Sequence, residues 1–156
     1  MANEASENQS LRSATEDVLT EPACLAAAVG LTEADCLTLK VLVLDDDASF
    51  RALARAILEP AGFEVLESGD VPHCLMQLRE QAIDAVILDM VMPERDGIEA
   101  LREMKELFPE IRIVTVSGAV ESTLYLTVSS HLGADASLDK SRIGALCPLL
   151  QVVLDR

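Results

Sequence analysis

From Lys40 onward the chain alternates between short apolar runs and segments whose apolar residues recur at helical spacing. Few architectures satisfy that pattern. Residues 41–44, Val-Leu-Val-Leu, form a continuous apolar run, as expected of a strand covered on both faces. Phe50, Leu53, Ala54, Ile57 and Leu58 then repeat as one face of a helix, closed by Gly62. The same reading predicts strands at 63–66, 85–88, 111–116 and 134–138, and helices at 71–81, 98–107, 122–132 and 143–154. Strand followed by helix, repeated in this way, implies an α/β fold: a doubly wound parallel sheet with helices on both sides.

Half of the 156 residues are hydrophobic, yet Trp is absent and aromatics are 3%, so the core is expected to consist of Val, Ile, Leu and Ala. Residues 1–20 are polar and acidic, as in a flexible tail. Thr20-Glu21-Pro22 then offers a helix start with Pro in the first turn, 23–29 continue it and Gly30 ends it. This extension is too small for a domain of its own, and its apolar face, Leu25, Val29 and Leu31, needs something to pack on. The expected organisation is an extension over 1–39 and one domain over 40–156.

Net charge is −15, of which −6 lies in residues 1–39. Nucleic acid and anionic membrane are poor partners for such a chain, because those contacts rely on Lys and Arg meeting phosphates. No apolar run reaches the roughly 18 residues of a membrane span. The N-terminus lacks the basic start and apolar stretch of a signal peptide, which favours a cytoplasmic protein. Cys24, Cys36, Cys74 and Cys147 have no zinc or Cys-x-x-Cys spacing and read as small buried hydrophobes. His73 and His131 show no metal-ligand pattern.

The chemistry collects at strand ends. Asp45, Asp46 and Asp47 follow the first strand, Asp89 the third, Ser117 the fourth and Lys140 the fifth. In open α/β sheets ligands bind beyond the carboxyl ends of the strands. Clustered carboxylates raise one another's pKa, a conflict that a divalent cation relieves; Mg²⁺ takes oxygen ligands and completes its shell with water and phosphate. Asp47 also suits a helix cap, with its charge at the positive end of the helix. A carboxylate beside a cation can act as a nucleophile and form an aspartyl phosphate, a role open to Asp89. Met92-Pro93 and Asp96-Gly97 shape the loop that follows.

That order, with Val-Leu-Asp45-Asp46-Asp47, the run from Asp89 to Gly97 and Gly133-Ala134-Asp135-Ala136, resembles the receiver domain of bacterial two-component response regulators. The resemblance covers about residues 40–156 and implies a flavodoxin-like sheet of five parallel strands, (βα)5. It further implies that Asp89 is the phosphorylated aspartate. Asp46, Asp89 and the backbone carbonyl of Val91 would hold Mg²⁺, with Asp45 helping through a metal-bound water. Ser117 would be the switch hydroxyl and Lys140 the phosphate-pairing lysine. The phosphoryl group would come from a phosphohistidine of a sensor kinase or histidine phosphotransfer protein. With the last expected helix ending near Arg156, the expectation is a single-domain regulator that signals to a downstream protein target by contact, not as a classical enzyme. The face of the fourth helix, fifth strand and fifth helix is the usual partner or homodimer surface of such domains.

Three departures stand out. Receivers usually follow the lysine with proline, whereas Ser141 stands here; Ser137 occupies the position of the aromatic switch residue. Val91 and Ala119, two residues past Asp89 and Ser117, are apolar where relatives often orient an attacking water, which predicts slow self-dephosphorylation. The missing proline and aromatic motivate an alternative, a degenerate receiver that binds partners without phosphate. A second alternative is a haloacid-dehalogenase-type phosphatase with Asp45 as nucleophile, which leaves the residues after Asp89 unexplained.

Overall fold

The computed structural model describes residues 38–118 and 122–155. The helix expected at 20–30, Cys24, Cys36 and Ala119 lie outside the described residues. Strands β1 (Lys40–Leu44), β2 (Glu64–Ser68), β3 (Ala85–Asp89), β4 (Arg112–Ser117) and β5 (Ala136–Asp139) alternate with helices α1 (Ala48–Leu58), α2 (Val71–Glu80), α3 (Gly97–Leu107), α4 (Ser122–His131) and α5 (Leu146–Leu154). The five strands form one sheet in the order β2-β1-β3-β4-β5, every pairing parallel.

The continuous apolar runs are explained by two cores, one on each side of the sheet. Val41, Val43, Ile87 and Val116 point to a layer shared with Phe50, Ala54 and Leu58 of α1 and Leu146, Leu150 and Val153 of α5. Their neighbours Leu42, Leu44, Val86 and Leu88 point the other way, onto Leu75 and Leu78 of α2 and Leu101 and Met104 of α3. Alternation along a strand thus feeds both layers. Helix starts are marked by acids: Asp47, Asp70 and Asp96 accept from Ser49, His73 and Ile98 amides at α1, α2 and α3. Gly62, at φ +95°, turns the chain from α1 into β2, a conformation that suits glycine.

Element boundaries shift where polar residues join a ladder. β2 begins at Glu64 because the Phe63 amide is spent on Leu58 O in the turn, and it runs through Glu67 to Ser68, in register with Leu44. β5 begins at Ala136 because the two residues before it serve elsewhere. Ala134 N–H caps Ser129 O, and Asp135 latches the β4 edge by accepting from Ile113 N–H (2.9 Å) and pairing with Lys105 (3.1 Å) and Arg112 (3.0 Å). Burial raises the Asp135 pKa, but those donors outweigh it and hold the carboxyl below its ordinary range. The last helix starts at Leu146, since 140–145 form a 3₁₀ turn with a non-helical Arg142. Cys74 is buried, with burial pushing its thiol up to about 12, and Cys147 is half-buried. No helix among the described residues is long and apolar enough to cross a membrane.

Candidate functional site

Register carries the candidate residues to one edge. Leu44 pairs with Leu88, Asp89 with Val116 and Ser117 with Asp139, so the chain leaves four parallel strands at nearly the same level. Asp45 is the first residue past β1, Asp89 and Ser117 close β3 and β4, and Lys140 follows β5. Asp45 and Ser117 are fully buried, Asp89 nearly so, and Asp46 is exposed at the rim. Carboxylate oxygens of Asp45, Asp46 and Asp89 all lie within 4.8 Å of one another.

Lys140 is the hub. Its ammonium lies 2.5 Å from Asp45 Oδ2 and 3.2 Å from Asp89 Oδ2. The other oxygens of these acids accept backbone N–H groups: Asp45 Oδ1 from Asp47 at 2.8 Å, and Asp89 Oδ1 from Val91 at 3.2 Å. Burial and, after it, the Asp45 charge push the Asp89 pKa up to about 6, against the pull of Lys140 and the Val91 amide. Burial alone would lower the Lys140 pKa, yet the hydrogen bond to Asp45 and the charges of both acids raise it. One ammonium against three carboxylates leaves the cluster short of positive charge. An all-oxygen donor set of this size suits a hard divalent cation.

Ser117 adds a second feature suited to a ligand. Its Oγ is fully buried and finds no hydrogen-bond partner among the described residues. Buried hydroxyls are normally paired, so this one suits a ligand oxygen. Gly97 shapes the neighbouring loop: a Cβ there would lie 2.7 Å from the Met90 carbonyl oxygen, and only glycine lets α3 begin so close to the end of β3. Residues 91 and 96 then bridge, closing the loop onto itself.

The expected residues Asp45, Asp46, Asp89, Ser117 and Lys140 therefore converge. Val91 meets Asp89 through its amide, while its side chain is 43% exposed at the mouth of the site. Asp47 caps α1. Ser137 lies away from the acids, its Oγ 2.9 Å from Thr115 Oγ1 and 3.1 Å from Ser129 Oγ, in a hydroxyl cluster between β4, α4 and β5. Ser141 donates its amide to Asp139 Oδ1 at 2.8 Å, and no cis peptide is present among the described residues.

Two contributors escaped the sequence reading. Arg51 of α1 donates to the carbonyl oxygen of Asp45 at 2.6 Å and sits beside Glu67, bracing the acidic loop. The Phe50 ring lies under Lys140, with the ammonium 4.5 Å from its centroid. In the sequence Phe50 is an ordinary member of a helical repeat and Arg51 a charged residue beside it.

The chain matches the response regulator receiver domain family over residues 41–147. It is 36% identical over 110 residues to a protein-glutamate methylesterase/protein-glutamine glutaminase of Paramagnetospirillum magneticum, a match covering 69% of this chain and 26% of that protein. To the chemotaxis protein CheY of Bacillus subtilis it is 33% identical over 88 residues, covering 56% of this chain and 73% of the relative. A receiver domain crystal structure from Clostridium thermocellum superposes with a TM-score of 0.70 at 28% identity, covering 76% of this chain and 95% of the other.

Proposed function

This chain belongs to the response regulator receiver domain family, and on that premise we propose that it accepts a phosphoryl group on Asp89 from a phosphohistidine of a sensor kinase or phosphotransfer protein. The receiver is assigned to residues 40–156, with 1–39 as an extension. The observation that carries the reading is the meeting of Lys140 with both Asp45 and Asp89, beside the buried hydroxyl of Ser117, which has no partner among the described residues. Asp46, Asp89 and the Val91 carbonyl would hold Mg²⁺, with Asp45 reaching it through water. When bound, the cation neutralises the carboxylates and polarises phosphoryl oxygens.

In the transfer, an ionised Asp89 oxygen attacks phosphorus, the phosphorus–nitrogen bond to imidazole breaks, and the imidazole leaves with that electron pair. Lys140 shifts its ammonium from Asp45 toward the new phosphoryl oxygens, and Ser117 donates its hydroxyl to one of them. Signalling to a downstream target then runs through protein contacts.

Incubation with acetyl phosphate and Mg²⁺ tests the assignment by intact mass. A gain of one phosphoryl group is expected, absent in Asp89→Asn and absent when the cation is chelated. An undiminished gain in Asp89→Asn, or no gain in the wild-type chain, would overturn it.

A further inference from the structure

We propose that Phe50 is a positioning residue for phosphoryl transfer, its ring face holding the Lys140 ammonium level with Asp89 while that ammonium exchanges one oxygen partner for another. The inference rests on the assignment of Asp89 as phosphoacceptor and adds a residue from the core layer of α1.

The geometry is specific. The ammonium stands 4.5 Å from the ring centroid while also 2.5 Å from Asp45 and 3.2 Å from Asp89. The ring belongs to the core layer of α1 and α5 and is only 7% exposed, so packing fixes its position. Gly118 leaves room for the lysine stem: a Cβ there would lie 3.3 Å from Lys140 Cδ.

Why a ring is useful follows from what Lys140 must do. Four rotatable bonds make a lysine head hard to hold in one place. A hydrogen-bond acceptor below it would hold it but consume one of its three N–H donors. The negative face of an aromatic ring attracts the charge without taking a donor and with little directional demand. All three N–H groups therefore remain for carboxylate and phosphoryl oxygens, and the head can pivot from Asp45 to phosphate over one fixed platform. A leucine of similar bulk would fill the core but offer no such face.

The test separates ring charge from ring shape. With acetyl phosphate as donor, an Asp89 oxygen–phosphorus bond forms as the phosphorus–oxygen bond to acetate breaks and acetate departs with the electron pair. Initial rates of that transfer are measured at saturating Mg²⁺ for the wild type, Phe50→Leu, Phe50→Tyr and a series carrying one to five ring fluorines at position 50. Fluorination keeps the shape and progressively cancels the negative face. Phe50→Leu is expected to slow transfer roughly 3- to 30-fold, the scale of a partly desolvated cation–π contact. Phe50→Tyr should stay near wild type, and the fluorinated series should fall steadily with ring fluorine. Mg²⁺-induced thermal shifts should be equal across the set. In proton NMR, ring-current shifts of the Lys140 ε-methylene should collapse in the Leu variant. If Phe50→Leu fails to fold, the fluorinated chains carry the test alone. A wild-type chain that is phosphorylated, with a flat fluorine series, overturns this inference and leaves the phosphoacceptor assignment standing. A wild-type chain that takes up no phosphoryl group overturns both.

Discussion

At the level of single residues, the cost of holding Asp89 in a dry, acidic pocket should be measurable. Its folded pKa of about 6 exceeds that of an unfolded aspartate. A group raised in this sense supports folding below its unfolded pKa and loses that support as pH rises through the folded value. The penalty on the metal-free chain is therefore absent below about pH 4 and complete above about pH 6. Asp89→Asn should accordingly stabilise the metal-free protein at pH 7.5 by on the order of 2 kcal/mol, with the gain fading toward pH 4. Urea unfolding of both proteins across that range checks it; equal stabilities at pH 7.5 would refute the electrostatic account. The second residue-scale prediction concerns Val91, whose exposed apolar side chain stands at the mouth. Val91→Asn combined with Ala119→Glu should shorten the phosphorylated lifetime severalfold by giving water something to bind. Decay followed by intact mass would show an unchanged lifetime if the apolar pair were irrelevant.

Among the elements, α4 is fastened least like the others. α1, α2, α3 and α5 bury three or more side chains each, while Ser129 is the only fully buried residue among those described in α4. Ser129 Oγ lies 2.9 Å from Thr115 Oγ1 and donates to Leu126 O at 2.9 Å, with Ser137 closing the cluster. Hydroxyls bind where they are satisfied and cost where they are orphaned. Ser129→Ala should destabilise the fold by about 1–2 kcal/mol and speed amide exchange in α4 more than in α2 or α3. Uniform exchange across the three helices would contradict a polar fastening. This cluster also shows where sequence reading stops. The strands and helices were legible because apolar periodicity records which faces are covered. Asp45, Asp89, Ser117 and Lys140 were legible because strand ends are fixed points on a parallel sheet. Thr115, Ser129 and Ser137 are spread over 22 residues with no shared period; the β4–β5 register pairs Thr115 with Ser137, and α4 brings Ser129 onto them. Phe50 and Arg51 escaped for the opposite reason: an amphipathic helix accounts for an apolar residue and a charged neighbour without any site. β5 and the last helix were placed too early, because Asp135 and Asp139 take backbone partners that periodicity does not record.

Across the whole molecule, charge is the dominant imbalance. A chain at −15 with a pI near 4.3 repels itself in every compact form. Monovalent salt should therefore stabilise the metal-free protein as ionic strength rises from about 0.01 to 0.1 M, since the Debye length shortens from about 30 to 10 Å. Denaturation by urea, which is itself uncharged, in increasing NaCl reads this directly; a decrease in stability would count against it. Association with a partner of basic surface should slow as salt is added.

The bond from the Ser141 amide to Asp139 has a last implication, an epistatic one. A proline engineered at 141 has no hydrogen to donate, so grafting the usual family residue onto this scaffold removes the backbone donor that Asp139 accepts in the native turn. The two ways of bracing the lysine loop are not interchangeable one position at a time. A chimaera that moves 139 and 141 together should tolerate the exchange better than the single proline replacement does.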